Sequence, residues 1–281
     1  MSRSGISDRP QQFTLANSRQ CSLAKGLVFA GLGRAHGSTQ YYDSSGRGNN
    51  GTLTAMDPAT DWIWSSELGR WQIDLVAASS QWVSGPLWGK WASSISVACW
   101  HLPASDYTTA QSLICNGNAS ANISGTLNYG MTDNAYVWRN NDAGAIYASP
   151  TTYGSNVWRH IAVTRLNEAD ALKMYVNGVE VGSWTNITPT ESGTTHRLAI
   201  GRYGNYSYNY TTGSIADPLI YNRVLSPAEI QILANRSDPM LGGLILPPKR
   251  KLFNITRQIG TPYRQQRLII NAGGRFINLG I

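Results

Sequence analysis

The segment from Asn156 to Trp184 limits the fold more than any other part of the chain. In Val157 to Arg165 the side chains of Ile161 and Val163 alternate with those of their neighbours, which is the period-two pattern of a β-strand. A second strand is predicted at Leu172 to Val176, and Asn177-Gly178 follows it directly. Asn-Gly readily adopts positive φ at both central positions of a type I′ turn, so it predicts a tight hairpin. With a return strand from Val179 to Trp184, the segment predicts an antiparallel meander.

The composition favours an all-β protein with many turns. Only 14% of the 281 residues are charged, while glycine, tyrosine and tryptophan are plentiful. A chain of this length can form one large β domain with extensions. A short helix is predicted to begin at Ser226-Pro227, to run to Asn235 and to close one end of a sandwich. Further strands are predicted at Gln72–Val76, Gln81–Ser84, Ile95–Leu102, Gln111–Asn116, Gly125–Met131 and Ala135–Arg139.

Three motifs in a fixed order indicate a known family. Trp158 to Thr164 leads to Leu172 to Gly178 in the middle of the chain, Gly26-Leu27-Val28 precedes Tyr42 to Leu53 near the start, and Gly213 to Asp217 precedes Ile220 to Ile230 near the end. Together they resemble the laminin-G-like jelly rolls of the concanavalin A-like lectin/glucanase superfamily. The resemblance implies an antiparallel jelly-roll β-sandwich. That superfamily holds lectins, adhesion modules, glycosidases and structural domains, so the fold alone does not determine the function.

The same resemblance implies a structural calcium site. In related domains a loop like the one from Asp43 to Gly51 helps to hold calcium together with a carboxylate of a late strand. Asp43, Asn49 and Asp217 are therefore the predicted ligands. The family pattern has two acidic residues in the late strand, whereas this chain has Ala216 at the first position, and calcium requires about six to eight oxygen ligands. The alternative is a turn that is stabilised by its own side-chain hydrogen bonds.

The sequence lacks the residue patterns of the common hydrolases. A retaining glycosidase needs two carboxylates about 5–5.5 Å apart, which in this superfamily appear as Glu-x-Asp-x-x-Glu on one strand. The nearest spacing, Glu168-Ala169-Asp170, lies in a predicted turn and has no third acid. There is no Gly-x-Ser-x-Gly motif and no P-loop. The histidines are scattered, without metal-ligand spacing: His36, His101, His160 and His196. We therefore expect no catalytic residues and a protein that is not an enzyme.

A tyrosine-rich segment from Gly201 to Thr212 is the predicted contact surface. Tyrosine combined with serine, glycine and asparagine gives rigid aromatic area together with adaptable hydrogen bonding, which is typical of recognition surfaces. Such rings can stack on sugars or contact a protein. The alternative is a strand–turn–strand with tyrosines on its solvent face. The candidate ligand contacts are Tyr203, Tyr206, Tyr208 and Tyr210.

The net charge of +7 lies at the two ends of the chain. Residues 1–24 hold three basic and one acidic residue, residues 237–281 hold seven and one, and residues 25–236 hold thirteen and fourteen. We therefore divide the chain into an N-terminal arm (1–24), a jelly-roll domain (25–236) and a basic C-terminal tail (237–281). The tail combines basic residues with apolar, β-prone runs and few aromatics, which favours docking on proteins over binding of nucleic acid. Its predicted docking residues are Lys249, Arg250, Lys251, Arg267 and Arg275.

Membrane and secretion signals are missing from the sequence. No apolar run approaches the roughly 20 residues of a membrane helix, and the N-terminus has no apolar h-region, so we expect no Sec signal peptide. The cysteine count is odd, with Cys21, Cys99 and Cys115. We expect reduced thiols, with a Cys99–Cys115 bridge as the alternative.

A lectin-type domain without a leader and with a basic, β-prone extension resembles bacteriophage virion components, such as capsid decoration proteins, head fibres and tail-associated adhesins. The resemblance implies assembly in the host cytoplasm into a virion, as part of a homo- or hetero-oligomer. The arm and the tail would dock on capsid or tail proteins, and the jelly roll would add binding of host-surface glycans. The alternatives are a free carbohydrate-binding or adhesion module and a glycan-processing enzyme.

Overall fold

Two antiparallel sheets face each other across a shared apolar core. The computed structural model describes residues 14–15, 22–33, 36–89, 91, 93–107, 109–117, 123–131, 133–140, 146–167, 170–188, 196–204, 208–235, 245–246, 267–270 and 276–279. The helix is α1 (Pro227–Leu233). The strands are β1 (Thr14–Leu15), β2 (Leu27–Ala30), β3 (Gln40–Tyr41), β4 (Gly51–Thr54), β5 (Trp62–Ser65), β6 (Arg70–Leu75), β7 (Trp82–Leu87), β8 (Ile95–Pro103), β9 (Gln111–Gly117), β10 (Ile123–Tyr129), β11 (Tyr136–Arg139), β12 (Ile146–Ala148), β13 (Arg159–Leu166), β14 (Ala171–Val176), β15 (Val179–Thr185), β16 (Arg197–Ile200), β17 (Gly213–Tyr221), β18 (Ile245–Leu246), β19 (Arg267–Ile270) and β20 (Phe276–Leu279).

The strand order confirms the predicted all-β jelly roll. The front sheet has the order β12-β11-β10-β9-β16-β7-β4-β3. The back sheet has the order β15-β14-β13-β8-β17-β6-β5, and β2 also pairs with β17. Eight connections between described strands cross from one sheet to the other, namely β2–β3, β4–β5, β6–β7, β7–β8, β8–β9, β12–β13, β15–β16 and β16–β17. All pairings within both sheets are antiparallel.

The predicted meander is confirmed as β13-β14-β15. Asn177 and Gly178 have φ values of +50° and +81°, as a type I′ turn requires. Ile161 and Val163 point into the core between the sheets, whereas Ala162 points to the opposite face of the back sheet. Both faces of β13 are buried, because that opposite face is also covered by the chain.

The core between the sheets is rich in aromatic and branched side chains, which bury the largest apolar areas. Its buried members include Phe29, Tyr41, Ile73, Val97, Cys99, Leu127, Trp138, Ile161 and Met174.

The sheets are also joined by the hydrogen bonds of one buried arginine. Arg165 of β13 is fully buried, and its Nη1 donates to Ser124 O of β10 at 3.1 Å and to Asn140 Oδ1 at 3.2 Å. Its Nη2 donates to Trp91 O. This guanidinium therefore connects the back sheet to the front sheet.

Helix α1 begins as predicted, but its predicted location was wrong. Ser226 is the N-cap and forms a reciprocal capping box with Glu229. Ile230 and Leu233 pack with Leu23, Leu219 and other apolar residues on the outer face of the back sheet. The helix therefore covers a sheet face and does not close an end of the sandwich. The reason is that apolar side chains of distant strands, such as Ala98, Ala162 and Leu219, meet on that face and pack against the apolar side of the helix.

Six of the predicted strands lie within a few residues of observed ones, namely β6 to β11. The sequence reading missed β3, β4, β5, β12 and β16, which have two to four residues each. A strand of that length is too short to establish a period-two pattern.

The chain divides into two compact units, Met1–Pro248 and Lys249–Ile281. In the first unit β1 pairs with β18, so the N-terminal arm and the start of the tail form a short two-stranded ladder. In the second unit β19 and β20 form an antiparallel hairpin. The boundaries proposed at residues 24 and 236 stay a prediction.

Cys99 and Cys115 occur as thiols on different strands and in different apolar clusters. Cys99 lies in the core between the sheets, whereas Cys115 lies on the outer face of the front sheet. Cys21 is outside the described residues. Within the described part of the chain no helix has the length and hydropathy that crossing a membrane requires.

Candidate functional site

Residues 201–204 and 208–212 lie on the outer face of the front sheet, and we call these described residues the tyrosine loop. It is tied to β9 by backbone hydrogen bonds: Gly201 N–H donates to Leu113 O at 3.0 Å and Ser112 N–H donates to Asn209 O at 3.0 Å. Thr211 Oγ1 adds a bond to Ser112 O at 2.8 Å. Gly201 and Asn209 have φ values of +84° and +54°, which let the chain reverse direction over the sheet. The loop is therefore held at fixed points.

Arg202 fixes the centre of this face. Its guanidinium carbon lies 3.5 Å from the centroid of the Trp82 ring and 5.9 Å from that of Tyr210. Arg202 Nε also donates to Gly204 O at 3.3 Å, and the residue is 7% exposed. An arginine held over a tryptophan face at this distance has a favourable cation–π contact. The contact orders the loop and covers the outer side of Trp82.

Tyr203 and Tyr208 form the outer aromatic pair. Their ring centroids are 5.2 Å apart with an interplanar angle of 28°. Tyr203 is 1% exposed, while Tyr208 is 40% exposed. Tyr203 therefore supports Tyr208 from beneath, and Tyr208 presents a ring face to solvent. Stacking on a buried ring restricts the ring of Tyr208 before any ligand arrives, which lowers the entropy cost of binding.

The charged side chains described on this face are basic. Arg139 lies 6.0 Å from the Tyr203 ring centroid, and Arg197 Nη1 donates to Ser84 Oγ at 3.2 Å on the same side of the sheet. With Arg202 these make three cationic side chains. The strands of the front sheet contain no aspartate or glutamate. The face therefore combines aromatic area with positive charge.

The structure places two of the four predicted tyrosines where a ligand can reach them. Tyr208 is exposed and Tyr210 is half-buried beside Arg202, whereas Tyr203 is buried. Tyr206 lies outside the described residues. Sequence reasoning missed Trp82, Arg139 and Arg202. In β7 the side chain of Val83 points into the core, so the side chain of its neighbour Trp82 points to the outer face. This alternation is the sequence signal that could have indicated Trp82.

The predicted calcium loop instead caps an edge strand. Asp43 Oδ1 accepts from the N–H groups of Ala30 at 3.0 Å and Ser45 at 2.8 Å, and its Oδ2 accepts from Asn49 N–H at 2.9 Å. Asn49 Nδ2 donates to Val28 O at 2.8 Å. These side chains supply β2 with the hydrogen bonds that a neighbouring strand would otherwise make.

Asp217, the third predicted ligand, has a different partner. Its Oδ2 lies 2.5 Å from Arg70 Nη1, and both side chains are buried. Burial raises the pKa of Asp217, and Arg70 opposes that rise. Asp217 neutralises a buried guanidinium and Asp43 accepts from backbone N–H groups, so both carboxylates have protein partners in this structure. Among the described residues there is no cluster of three or more acidic, histidine or cysteine side chains suited to a metal ion. Calcium binding stays a prediction.

Two histidines are buried among aromatic side chains. His101 Nδ1 lies 3.2 Å from Tyr136 Oη, and His160 packs edge-on against Trp100. Burial lowers the pKa of His101 to about 3, with a further lowering from Arg159. Burial, with Arg70, lowers the pKa of His160 to about 3 as well. Both are therefore neutral near pH 7.

Of the five predicted docking residues, Arg267 begins β19. Lys249, Arg250, Lys251 and Arg275 lie outside the described residues. Glu168, the first acid of the segment Glu168-Ala169-Asp170, also lies outside the described residues.

Comparison with known proteins identifies relatives of the fold. The family model described as the concanavalin A-like lectin/glucanases superfamily matches residues 77–231, which is more than half of the chain. No protein with a curated description matches the sequence.

Solved structures with the same fold include three with different roles. Domain 4 of AbnA, a GH43 extracellular arabinanase from Geobacillus stearothermophilus, in complex with arabinotriose, is 20% identical with a TM-score of 0.56, over 74% of this chain and 98% of that one. The binding domain of Paraclostridial Mosquitocidal Protein 1 is 19% identical with a TM-score of 0.56, over 76% of this chain and 52% of that one. Trypanosoma rangeli sialidase is 16% identical with a TM-score of 0.53, over 77% of this chain and 33% of that one. The chain thus spans about half of the second and a third of the sialidase.

Proposed function

Because the chain belongs to the concanavalin A-like lectin/glucanases superfamily, we propose that it is a non-catalytic glycan-binding domain displayed on a larger assembly. The observation that carries the proposal is the exposed ring of Tyr208, stacked on the buried Tyr203 over the outer face of the front sheet. An exposed, pre-ordered tyrosine ring offers the apolar surface on which the C–H face of a sugar stacks. Tyr210, which is half-buried, extends the same surface with its hydroxyl group.

The relatives are consistent with this use of the fold. One is a domain in complex with arabinotriose, and another is the binding domain of a toxin. Both fold likenesses support binding as the role of a domain of this kind. The sialidase relative keeps a glycan-processing enzyme as the alternative.

The charge of the face supports glycans that carry carboxylate groups. Arg139, Arg197 and Arg202 lie on the side of the front sheet whose strands have no acidic residue. Arginine binds a carboxylate through paired, charge-assisted hydrogen bonds. We therefore expect uronic or sialic acid-type sugars to bind more tightly than neutral ones.

A glycan array tests the proposal on the full chain. Tyr208→Ala is expected to reduce binding of the glycans that wild type retains by about tenfold or more, since stacking on one ring is worth roughly 1–2 kcal/mol. Tyr208→Phe keeps the ring and is the matched control, so it should bind nearly as wild type does. Absence of binding by wild type, or equal binding by the alanine variant, would contradict the proposal.

The non-catalytic part of the proposal is supported by four of the described carboxylates, which have structural partners. Asp217 pairs with Arg70, Glu180 with Lys173 and Glu229 with Arg223. Asp43 accepts backbone N–H groups of its own loop. These acids are engaged in structural contacts, whereas a hydrolase needs one acid and one base aimed at a shared sugar.

We further propose that the assembly is a bacteriophage virion, with the protein as a capsid decoration, head-fibre or tail-associated component. The support is the charge division, with a tail that holds seven basic residues and one acidic residue next to a nearly neutral domain. The pairing of β1 with β18 and of β19 with β20 supports a strand-forming arm and tail that dock on capsid or tail proteins.

A further inference from the structure

The outer edge of β5 is open within the part of the chain that the structure describes. β5 is the last strand of the back sheet, and its recorded pairing is with β6. Its two central residues are apolar and exposed, Ile63 at 39% and Trp64 at 52%. The register with β6 runs without a bulge from Trp62 to Ser65. A flat, apolar edge of this kind is a template for another strand.

The other sheet edges carry protection that β5 lacks. β2 is capped by the side chains of Asp43 and Asn49. β15 has an irregular register with β14 and carries Glu180, which binds Lys173. β3 and β12 have only two and three residues. Short length, bulges and charged side chains are the usual protections of an edge, so β5 is distinct among them.

The side chain of Trp64 is restricted by its contact with the ring of Trp71. Its centroid lies 5.7 Å from that of Trp71, with the rings nearly perpendicular at 73°. Trp71 is in turn stacked on His36 at 3.9 Å and 8°. A restricted, exposed tryptophan is the type of side chain that dominates binding energy at interfaces.

Charge indicates what the edge binds. The segment 57–74 around β5 has four acidic residues and one basic residue, a net charge of −3. Pairing of β5 with the β5 of another copy would bring these acids together and is disfavoured. A basic strand with apolar side chains is the complementary occupant.

The tail of the chain has that chemistry. β19 is Arg-Leu-Ile-Ile and β20 is Phe-Ile-Asn-Leu, in a tail with a net charge of +6. A two-stranded hairpin by itself is marginally stable in water. It gains stability when a third strand or a sheet edge pairs with it.

We propose that β5 is the acceptor site for a strand of the C-terminal hairpin, β19 or β20, of a second copy of this chain. The inference rests on the proposed role of the tail as a docking segment and names the surface that receives it. Because donor and acceptor are different surfaces, the contact is heterologous and builds a ring or an open filament.

The test measures self-association of the full chain by sedimentation over about a hundredfold range of concentration. Wild type is expected to gain mass with concentration, and added salt is expected to weaken the association. Ile63→Lys and, separately, Trp64→Thr should each weaken it by about tenfold or more. Val179→Lys on the β15 edge, where Val179 is 65% exposed, is the matched control and should associate as wild type does.

A synthetic peptide of residues 264–281 provides a second readout on the full chain. We expect it to compete with self-association and to change the tryptophan fluorescence of wild type but not of Trp64→Thr. Glycan binding by each β5 variant should stay at the wild-type level, which shows that the sandwich is folded.

Three results would overturn the inference. The wild-type protein could stay monomeric and show no binding of the peptide, or the β5 variants could associate as strongly as wild type. The third is a loss of self-association in the Val179→Lys control as large as that in the β5 variants. If Ile269→Lys in β19 prevents incorporation into particles while the β5 variants incorporate, the tail docks on a different protein. The docking role of the tail would then stand and the β5 site would not.

Discussion

Asp217 combines an unusual backbone conformation with a buried ion pair to Arg70. It has a φ of +46° in β17, at a register irregularity between Ala216 and Leu219. The family resemblance placed it in a late strand, yet its partner Arg70 is 147 residues away in sequence. Long-range ion pairs leave no trace in a local pattern, so the sequence did not indicate the guanidinium of Arg70 beside Asp217. Arg165, whose buried side chain joins the two sheets, was missed for the same reason.

The buried histidines predict a pH dependence of stability at the level of one residue. Because burial lowers the pKa of His101 to about 3, the unfolded chain binds a proton below its ordinary pKa, near 6.5, while the folded chain does not. Stability is therefore complete above about pH 6.5 and is lost as the pH falls towards 3, by up to about 1.4 kcal/mol per pH unit for each such histidine. His160 is expected to contribute in the same direction.

Denaturant unfolding of His101→Gln between pH 5 and pH 7 checks this slope. The variant should show a shallower dependence on pH than wild type, whatever its stability at pH 7. Tyr136→Phe removes the partner of His101 but keeps the imidazole, so its slope should match that of wild type. Equal slopes in all three proteins would show that His101 does not titrate as expected.

At the scale of elements, α1 shows which features are local and which are not. Its capping box could be found from Ser226, Pro227 and Glu229, because all the groups involved lie within one turn. Its location could not, because the apolar residues beneath it come from strands far apart in sequence. The same holds for the tyrosine loop, whose composition indicated binding while the supports beneath it, Trp82 and Arg202, stayed hidden.

An ion pair adds to the apolar packing of α1. Arg223 Nη2 lies 2.6 Å from Glu229 Oε1, and Arg223 Nε donates to Lys25 O at 2.7 Å. Hydrogen bonds from Arg223 lower the pKa of Glu229 to about 2. The contribution of the Glu229–Arg223 pair to the free energy of unfolding is present above the ordinary glutamate pKa and is lost as the pH falls towards 2.

Glu229→Gln is therefore expected to lower the free energy of unfolding by about 1–2 kcal/mol at pH 7, through loss of the charged hydrogen bonds. The difference from wild type should shrink as the pH falls below about 4. Glu180→Gln breaks the exposed pair with Lys173 and is the control, with an expected cost well below that of Glu229→Gln because solvent screens the exposed pair. If the two substitutions lower the free energy of unfolding by similar amounts, the Glu229–Arg223 pair stabilises the fold no more than the exposed Glu180–Lys173 pair does.

At the scale of the whole molecule, the chain divides into two compact units, Met1–Pro248 and Lys249–Ile281. The fold class, the meander and the charge division followed from the sequence, because alternation, turn residues and charge counts are properties of the chain itself. The pairing of strands across the sandwich did not, since it depends on which distant segments meet.

This division predicts the effect of removing residues 237–281, most of which belong to the second unit. The truncated chain should stay folded, with a melting temperature within about 4 °C of wild type, and should no longer join its assembly. Co-purification with virus-like particles measures incorporation, and Tyr208→Ala in the full chain is the control that should incorporate normally. Normal incorporation of the truncated chain would contradict anchoring by the tail.

The position of β17 sets how the molecule would carry a mechanical load. The tyrosine loop runs directly into β17, and α1 and the tail follow it. A pull between a bound glycan and an anchored tail would first lift α1 from the back sheet and then stretch β17 along its own axis. β17 has nine buried residues and pairs with β8, β6 and β2. Its hydrogen bonds lie across the direction of force and must shear together, so the strand would resist rupture far better than one peeled from its end.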